Sequence, residues 1–398
     1  MTSITLVLTV LAILALLAAL HPFTSYPLSL LVLRALRAGA PQAAPGPRAD
    51  NIAPSPEHPR IAICLCVHNE AAVIGRRLAN LLAVTEGRND TEVLVYSDGS
   101  TDDTVAILQG FGPRITLHAN PERHGKTFGM NQLVAQTRAD LLVFTDAAVM
   151  MGDGALEAML ERFRDPAVGC VCARIVAVPP DADGAPSETA QTSVRYWAFD
   201  AWVRRLESEV ASVMGAHGPL FAIRRALHVP PPADLLDDFM VSMSVLTNGH
   251  RVVQADDFVG FKAVAPKGSD EFARKARIAC QSFNAHRHIA PARRGQSLLI
   301  RYLYASHKTL KWLCIYWLAL AALAASAAGI SAGLSLWVLG AWTITVLAIT
   351  LGWLRVRPFS FGFAALSALV GTGLGVWQSL RGQRYQTWAS PQSARHTG

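Results

Sequence analysis

From Trp312 to Leu354 the chain runs for 43 residues without one Asp, Glu, Lys or Arg. Such a run has no charged face to give to water. About 20 residues of helix cross a bilayer, so it predicts two membrane spans, with SAAGISAG (Ser326 to Gly333) as their turn. Ile4 to Leu20 is also uncharged and close to the minimum spanning length; with no basic region before it, it reads as an uncleaved anchor rather than a signal peptide. Phe359 to Leu380 is interrupted by Gly362, Gly371, Gly373 and Gly375, and either spans or re-enters. Composition agrees, since only 16% of the 398 residues are charged, against roughly 25% in soluble domains.

The basic residues beside these runs set an orientation. Arg34, Arg37 and Arg48 follow the first run, Arg301, Lys308 and Lys311 precede the long one, and Arg355 and Arg357 leave it. All can face the cytoplasm together, which predicts a multi-pass protein of the inner (plasma) membrane with a cytoplasmic soluble domain. Arg381, Arg384 and Arg395 join that side only if Phe359 to Leu380 does not cross. The net charge of +7 suits membrane lipids of an anionic leaflet and anionic substrates. Nucleic acid is not an expected partner, because there is no Lys/Arg-rich arm and no aromatic-basic strand. The expected organisation is an anchor over 1–37, a Pro- and Ala-rich linker over 38–59, a soluble domain over 60–295, interfacial and transmembrane helices over 296–380, and a basic tail over 381–398. Cys64/Cys66 and Cys170/Cys172 lie one residue apart in apolar runs, which places each pair on one face of a strand as buried thiols.

From Arg60 short apolar runs alternate with helical stretches, the pattern of βα units and a mostly parallel sheet. RIAICLCVHNE, TEVLVYSDGS, RITLHAN and DLLVFTDAAV read as four strands. Ligands of such sheets bind outside the carboxyl ends of the strands, where Glu70, Asp98 and Asp146 all fall. A carboxylate there can accept hydrogen bonds from a nucleobase or ribose, or bind a divalent cation that neutralises a diphosphate. Taken singly, Asp98-Gly99-Ser100 can also be a plain turn, with Asp102 and Asp103 favouring the next helix's positive end. LLDDFMVSMSVLTNG places Asp237 and Asp238 at the head of a further helix that stops at Gly249, where capping is the plainer role.

These segments resemble the membrane-attached family-2 glycosyltransferases of GT-A fold, over about Arg60 to Ile289 and more weakly beyond. Val67-His68-Asn69-Glu70 is similar to that family's first-strand motif, with His68 where Tyr is usual. Asp98-Gly99-Ser100-Thr101 matches its nucleotide-binding segment, and ERHGKTFGMN its Gly-Lys loop. The resemblance implies a Rossmann-like α/β domain between membrane helices. Glu70, Asp98 and Ser100 would bind the nucleotide, and Lys126 would lie near the donor. Asp146 would be the first acid of a DxD metal site for Mg2+ or Mn2+, although Ala148 replaces the second acid.

The resemblance further implies that the Asp237/Asp238 pair contains the general base, which Asp238 matches best. Arg277, within Arg274-Lys275-Ala276-Arg277-Ile278, takes the place of a diphosphate-binding arginine; the Gln and Trp that processive members carry around it are absent. GAHGPLFAIRR and the aromatic helix around Tyr196 and Trp197 become the acceptor side, with His217 and Trp197 as contacts. The implied activity is inverting hexosyl or N-acetylhexosaminyl transfer from a nucleotide-diphosphate sugar, a UDP-sugar by expectation, to a lipid-linked or glycan acceptor in cell-envelope polysaccharide biosynthesis. Two alternatives stay open: a processive exopolysaccharide synthase, and a catalytically inactive membrane partner of a polysaccharide assembly.

Overall fold

A computed structural model describes residues 2–37, 58–178, 188–263 and 268–387. Most of the expected linker, with Arg48, and the end of the basic tail, with Arg395, lie outside the described residues.

One eight-stranded sheet organises the middle of the chain. Its strands are β1 (Ile61–Val67), β2 (Thr91–Asp98), β3 (Thr116–Asn120), β4 (Leu141–Thr145), β5 (Val149–Met151), β6 (Val168–Val178), β7 (Leu220–Arg224) and β8 (Arg251–Ala263), in the order β3-β2-β1-β4-β7-β6-β8-β5. The β3-β2-β1-β4 half is parallel throughout, as the βα alternation predicts. In the other half β7 runs antiparallel to β4 and β6, and the short β5 antiparallel to β8. GPLFAIRR thus contributes a central strand as well as a loop, which fits an apolar run buried on both faces.

Alternate strand residues feed two cores. Ile61, Ile63, Leu65, Val93, Val95, Leu141 and Val143 face one side, where α3 (Ala71–Val84), α4 (Thr104–Gln109) and α6 (Ala155–Arg162) belong. Ala62, Cys64, Leu94, Tyr96, Leu142 and Phe144 face the other, covered by α5 (Lys126–Gln136), α7 (Glu188–Val210) and α8 (Asp237–Thr247). Cys64, Cys170 and Cys172 are buried free thiols and Cys66 is half-buried.

The N-terminal pair α1 (Ser3–Leu20) and α2 (Ser25–Arg37) is tied into the second core. Tyr26 of α2 is fully buried and donates its hydroxyl proton to Glu207 of α7. After the basic helix α9 (Gly268–His288) come α10 (Ala290–Arg293), α11 (Leu298–Tyr304), a π-helical turn (Ala305–Thr309), α12 (Leu310–Trp312), α13 (Cys314–Ser331), α14 (Ser335–Trp353) and α15 (Phe359–Leu380). His307 in the π-turn bonds Glu207 at 2.7 Å, and Lys311 reaches Asp200 of α7 at 2.9 Å. This buried polar network joins the apolar helices to the sheet domain.

Among the described residues four helices are long and apolar enough to cross a membrane: Ser3–Phe23, Cys314–Ser331, Ser335–Trp353 and Phe359–Leu380. The turn between α13 and α14 falls at residues 332–334, later than the Ser- and Gly-rich stretch suggests. The small residues continue the helix and let α14 approach, because a Cβ on Gly329 would come within 2.6 Å of Val338. In α15 the glycines serve the same end. A Cβ on Gly373 would meet Ile315 at 2.3 Å and one on Gly375 the Ala276 carbonyl of α9 at 2.2 Å. The 22-residue helix is therefore continuous and packs closely along the basic helix.

Candidate active site

At the carboxyl ends of β1 and β2, the motifs VHNE and DGSTDDT interlock. Asn69 Oδ1 accepts from the Thr101 N–H at 2.7 Å, the Asn69 N–H donates to Ser100 Oγ at 3.1 Å, and the Glu70 N–H donates to Thr104 Oγ1 at 2.8 Å. Glu70 and Ser100 thus lie on one rim. Asp102 is the local capping group, accepting from the N–H groups of Thr104 and Ala71.

The buried Asp98 carboxylate accepts from the backbone N–H groups of His124 at 2.7 Å and Gly125 at 2.9 Å. Asp98 therefore holds the loop that delivers Lys126. The chain can turn back this tightly because Gly99 adopts φ +63°, and a Cβ there would come within 3.0 Å of the Arg123 nitrogen.

Lys126 begins α5 and points into a cluster of acids. Its Nζ lies 3.0 Å from Asp146 Oδ1, just past β4, and 3.2 Å from Asp237 Oδ2 at the head of α8. Lys262 Nζ lies 3.4 Å from Asp146 Oδ2, brought there by the β5–β8 pairing that sets Val149 opposite Lys262. Burial by itself would favour neutral forms. The opposing charges win: Asp146 is held well below the carboxylate range by Lys126 and Lys262, and Lys126 well above its ordinary value by Asp146 and Asp237.

Asp238 behaves differently. Burial, then the neighbouring charge of Asp237, pushes its carboxyl up to about 7. Its Oδ1 accepts from the Phe239 N–H at 2.7 Å, and a Cβ on Gly218 would come within 2.5 Å of its Oδ2. A carboxyl with a pKa near neutrality suits proton transfer at physiological pH. We expect Gly218→Ala to displace this carboxylate and lower turnover by about 10²-fold, with thermal stability nearly unchanged. Wild-type kcat in that variant would show that the close contact has no role.

His217 and Trp197 meet edge to face, with ring centroids 6.0 Å apart. Burial and the nearby Arg204 press His217 down to about 3, so it is neutral at pH 7. Arg277 sits on α9 and donates to Gln281 Oε1 at 2.9 Å. Gln281 in turn donates to the Tyr385 carbonyl, and Gln386 donates to the His124 carbonyl at 2.9 Å. The segment after α15 thus links the Arg277 helix to the loop that Asp98 holds. Lys262 and residues 385–386 are parts of the site that motif reading does not reach, whereas Gly218 falls within the GAHGPLFAIRR segment.

The expected Mg2+ or Mn2+ ion meets a donor set that does not fit it. Ala148 offers no second acid, both oxygens of Asp146 face ammonium groups, and Asp237 shares Lys126. Among the described residues no three His, Cys, Asp or Glu side chains gather as a metal-holding group. Two unit charges 4 Å apart interact by about 4 kcal/mol at an effective dielectric of about 20, and a dication beside either lysine would meet roughly twice that repulsion.

A parallel sheet with an antiparallel extension, acids at the strand ends and an acidic pair heading a later helix define a GT-A-like domain. Residues 62–229 match the family model Glycosyl transferase family 2. Among solved structures it is similar in fold to a mannosyltransferase from Pyrobaculum calidifontis in complex with GDP-Man and Mn2+, with a TM-score of 0.67 and 22% identity over 94% of this chain and 99% of that one. Among curated proteins it is 28% identical over 185 residues to an uncharacterised protein of Mycobacterium tuberculosis, covering 46% of this chain and 53% of that protein. It is also 28% identical over 152 residues to a beta-monoglucosyldiacylglycerol synthase of Synechocystis, covering 37% of this chain and 31% of the synthase. The chain thus spans about half the length of the first of these relatives and less of the second.

Proposed function

We propose that this protein is a membrane-bound, inverting glycosyltransferase that moves a sugar from a nucleotide-diphosphate donor, with a UDP-sugar the first candidate, to a lipid-linked or glycan acceptor. The observation that carries this reading is the cluster of Lys126, Asp146, Asp237 and Asp238, in which one acid is firmly ionised and another poised near pH 7.

In this reading Glu70 and Ser100 line the nucleotide end of the cleft, Asp98 supports it from beneath by holding the 124–125 backbone, and Lys126 with Arg277 meets the diphosphate, where negative charge builds as the sugar leaves. Asp238 takes the proton of the acceptor hydroxyl as its oxygen bonds to the anomeric carbon and the sugar–phosphate bond breaks. Neutral His217 and Trp197 offer a hydrogen-bonding edge and an aromatic face to the acceptor. The name of the Synechocystis relative supports a lipid acceptor. The carboxyl kept near pH 7 favours an active enzyme over an inactive partner.

The membrane placement follows from where the helices end. We read α1, α13 and α14 as crossing the bilayer and α15 as lying against the cytoplasmic domain. Phe361 near its start packs under Arg195 of α7, and Ser379 near its end accepts from Arg287 of α9. Cysteines introduced as Phe359→Cys and Arg381→Cys should therefore react with an impermeant thiol reagent from the same side of the membrane. Labelling from opposite sides would show that α15 crosses.

The function itself is tested by titrating the purified full chain with nucleoside diphosphates and nucleotide sugars. At least one should bind saturably, and Lys126→Ala should weaken it by about 10-fold or more, as expected for a lost charge-assisted hydrogen bond. Absence of binding by every nucleotide would overturn the reading.

A further inference from the structure

The lysines around Asp146 bear on how the leaving group is neutralised. Lys126 is shared between Asp146 at 3.0 Å and Asp237 at 3.2 Å, whereas among the described residues the one acid that Lys262 pairs with is Asp146, at 3.4 Å. An ammonium has three donors, and the Lys262 side chain keeps 24% of its surface exposed. It can therefore hold Asp146 and still present N–H groups to a phosphate oxygen. Its place is fixed by backbone, since the antiparallel pairing of β5 with β8 sets it opposite Val149, three residues after Asp146. The position that would supply a second metal-binding acid is Ala148.

We propose that Lys262, with Lys126, supplies as a fixed ammonium pair the positive charge that a carboxylate-held divalent cation would bring to the departing diphosphate, so that this chain transfers sugar without a metal ion. The proposal rests on the glycosyltransferase reading. As the acceptor oxygen bonds to the anomeric carbon, the electron pair of the breaking sugar–phosphate bond passes to the diphosphate oxygen and the acceptor proton to Asp238. The extra negative charge then falls beside two ammonium groups held in place by Asp146. Asp146 positions this pair by holding one lysine on each carboxylate oxygen.

The test strips the full chain, in detergent or lipid, with EDTA and follows both nucleoside diphosphate release from its donor and nucleoside diphosphate binding by calorimetry. Wild-type turnover and binding should change less than about twofold between EDTA and added Mn2+. Lys262→Ala should lose about 10²–10³-fold in turnover, as when one preorganised charge-stabilising donor is removed, and Mn2+ should not restore it. Lys262→Arg, which keeps the charge, should retain most of both and show that the position tolerates substitution. Lys262→Glu, which creates a two-carboxylate set with Asp146, should bind nucleoside diphosphate only when Mn2+ or Mg2+ is added. Wild-type turnover or binding that collapses in EDTA and returns with Mn2+ would overturn the proposal. If no donor is turned over in either buffer, the glycosyltransferase reading fails instead. The charge claim is then decided by whether binding survives EDTA and is lost in Lys262→Ala.

Discussion

Asp238→Asn is expected to lower sugar transfer by about 10²–10⁴-fold while leaving the protein folded and, above neutral pH, more stable than the wild type. The rate loss follows from removing a general base whose geometry the amide preserves. The stability gain follows from linkage. The Asp238 carboxyl has its pKa raised to about 7 in the folded state, against the 3.8 of an unperturbed side chain. Between those values the folded protein holds a proton that the unfolded chain has given up. Stability therefore falls as pH rises through that window, and the cost is complete above about pH 7. Asparagine carries no such charge, so the variant escapes a cost on the order of a few kcal/mol at pH 8 and gains little at pH 4. Denaturant unfolding at the two pH values measures it. In the wild type, transfer should rise with pH as this carboxyl ionises and level off above about pH 7. A variant equally active, or equally destabilised at pH 8, would remove Asp238 from the base role.

Lys126→Ala should be the most damaging single change to the cluster. It leaves Asp237, with only 7% of its side chain exposed, without its ammonium partner, and Asp146 with Lys262 alone. Breaking a buried ion pair by removing one member costs about 3–5 kcal/mol, because the remaining charge stays desolvated. The loss should show as a lower denaturation midpoint at pH 8. A denaturation midpoint within error of the wild type at pH 8 would show that the lysine does not hold the two acids together. Lys126→Met, close in length but uncharged, should destabilise similarly, which separates the charge from the packing of the side-chain stem.

The half of the fold that was legible in the sequence is the half built locally. Each parallel strand from β1 to β4 is an apolar run ending in a turn, so Glu70, Asp98 and Asp146 could be placed at strand ends from their own neighbours. The acids at the head of α8 were legible for the same reason. What stayed hidden depends on pairings distant in sequence. Nothing around Lys262 points to Asp146, because the link is made only by the β5–β8 ladder. Asp98 reads in isolation as a carboxylate free for a ligand, whereas the fold turns both its oxygens onto the backbone of the Lys126 loop. The glycines of α15 resemble interruptions in a hydropathy pattern and become contact points once α9 and Ile315 lie against them. The Asp146 site, read from the resemblance as a cation site, has two lysines where metal donors were expected.

The central claim is that acids and lysines from distant parts of the chain form one cleft that grips a nucleotide sugar with its anomeric carbon turned toward Asp238. A structure of the protein with its nucleotide sugar, or the matching nucleoside diphosphate, tests this most directly. The account predicts the nucleobase along the Glu70–Ser100 rim, the diphosphate oxygens within hydrogen-bond distance of Lys126, and the anomeric carbon of the sugar facing Asp238. A nucleotide seated elsewhere, for instance in the cleft of about 760 Å³ lined by Arg293, Arg294, Arg301 and Tyr302, would contradict it.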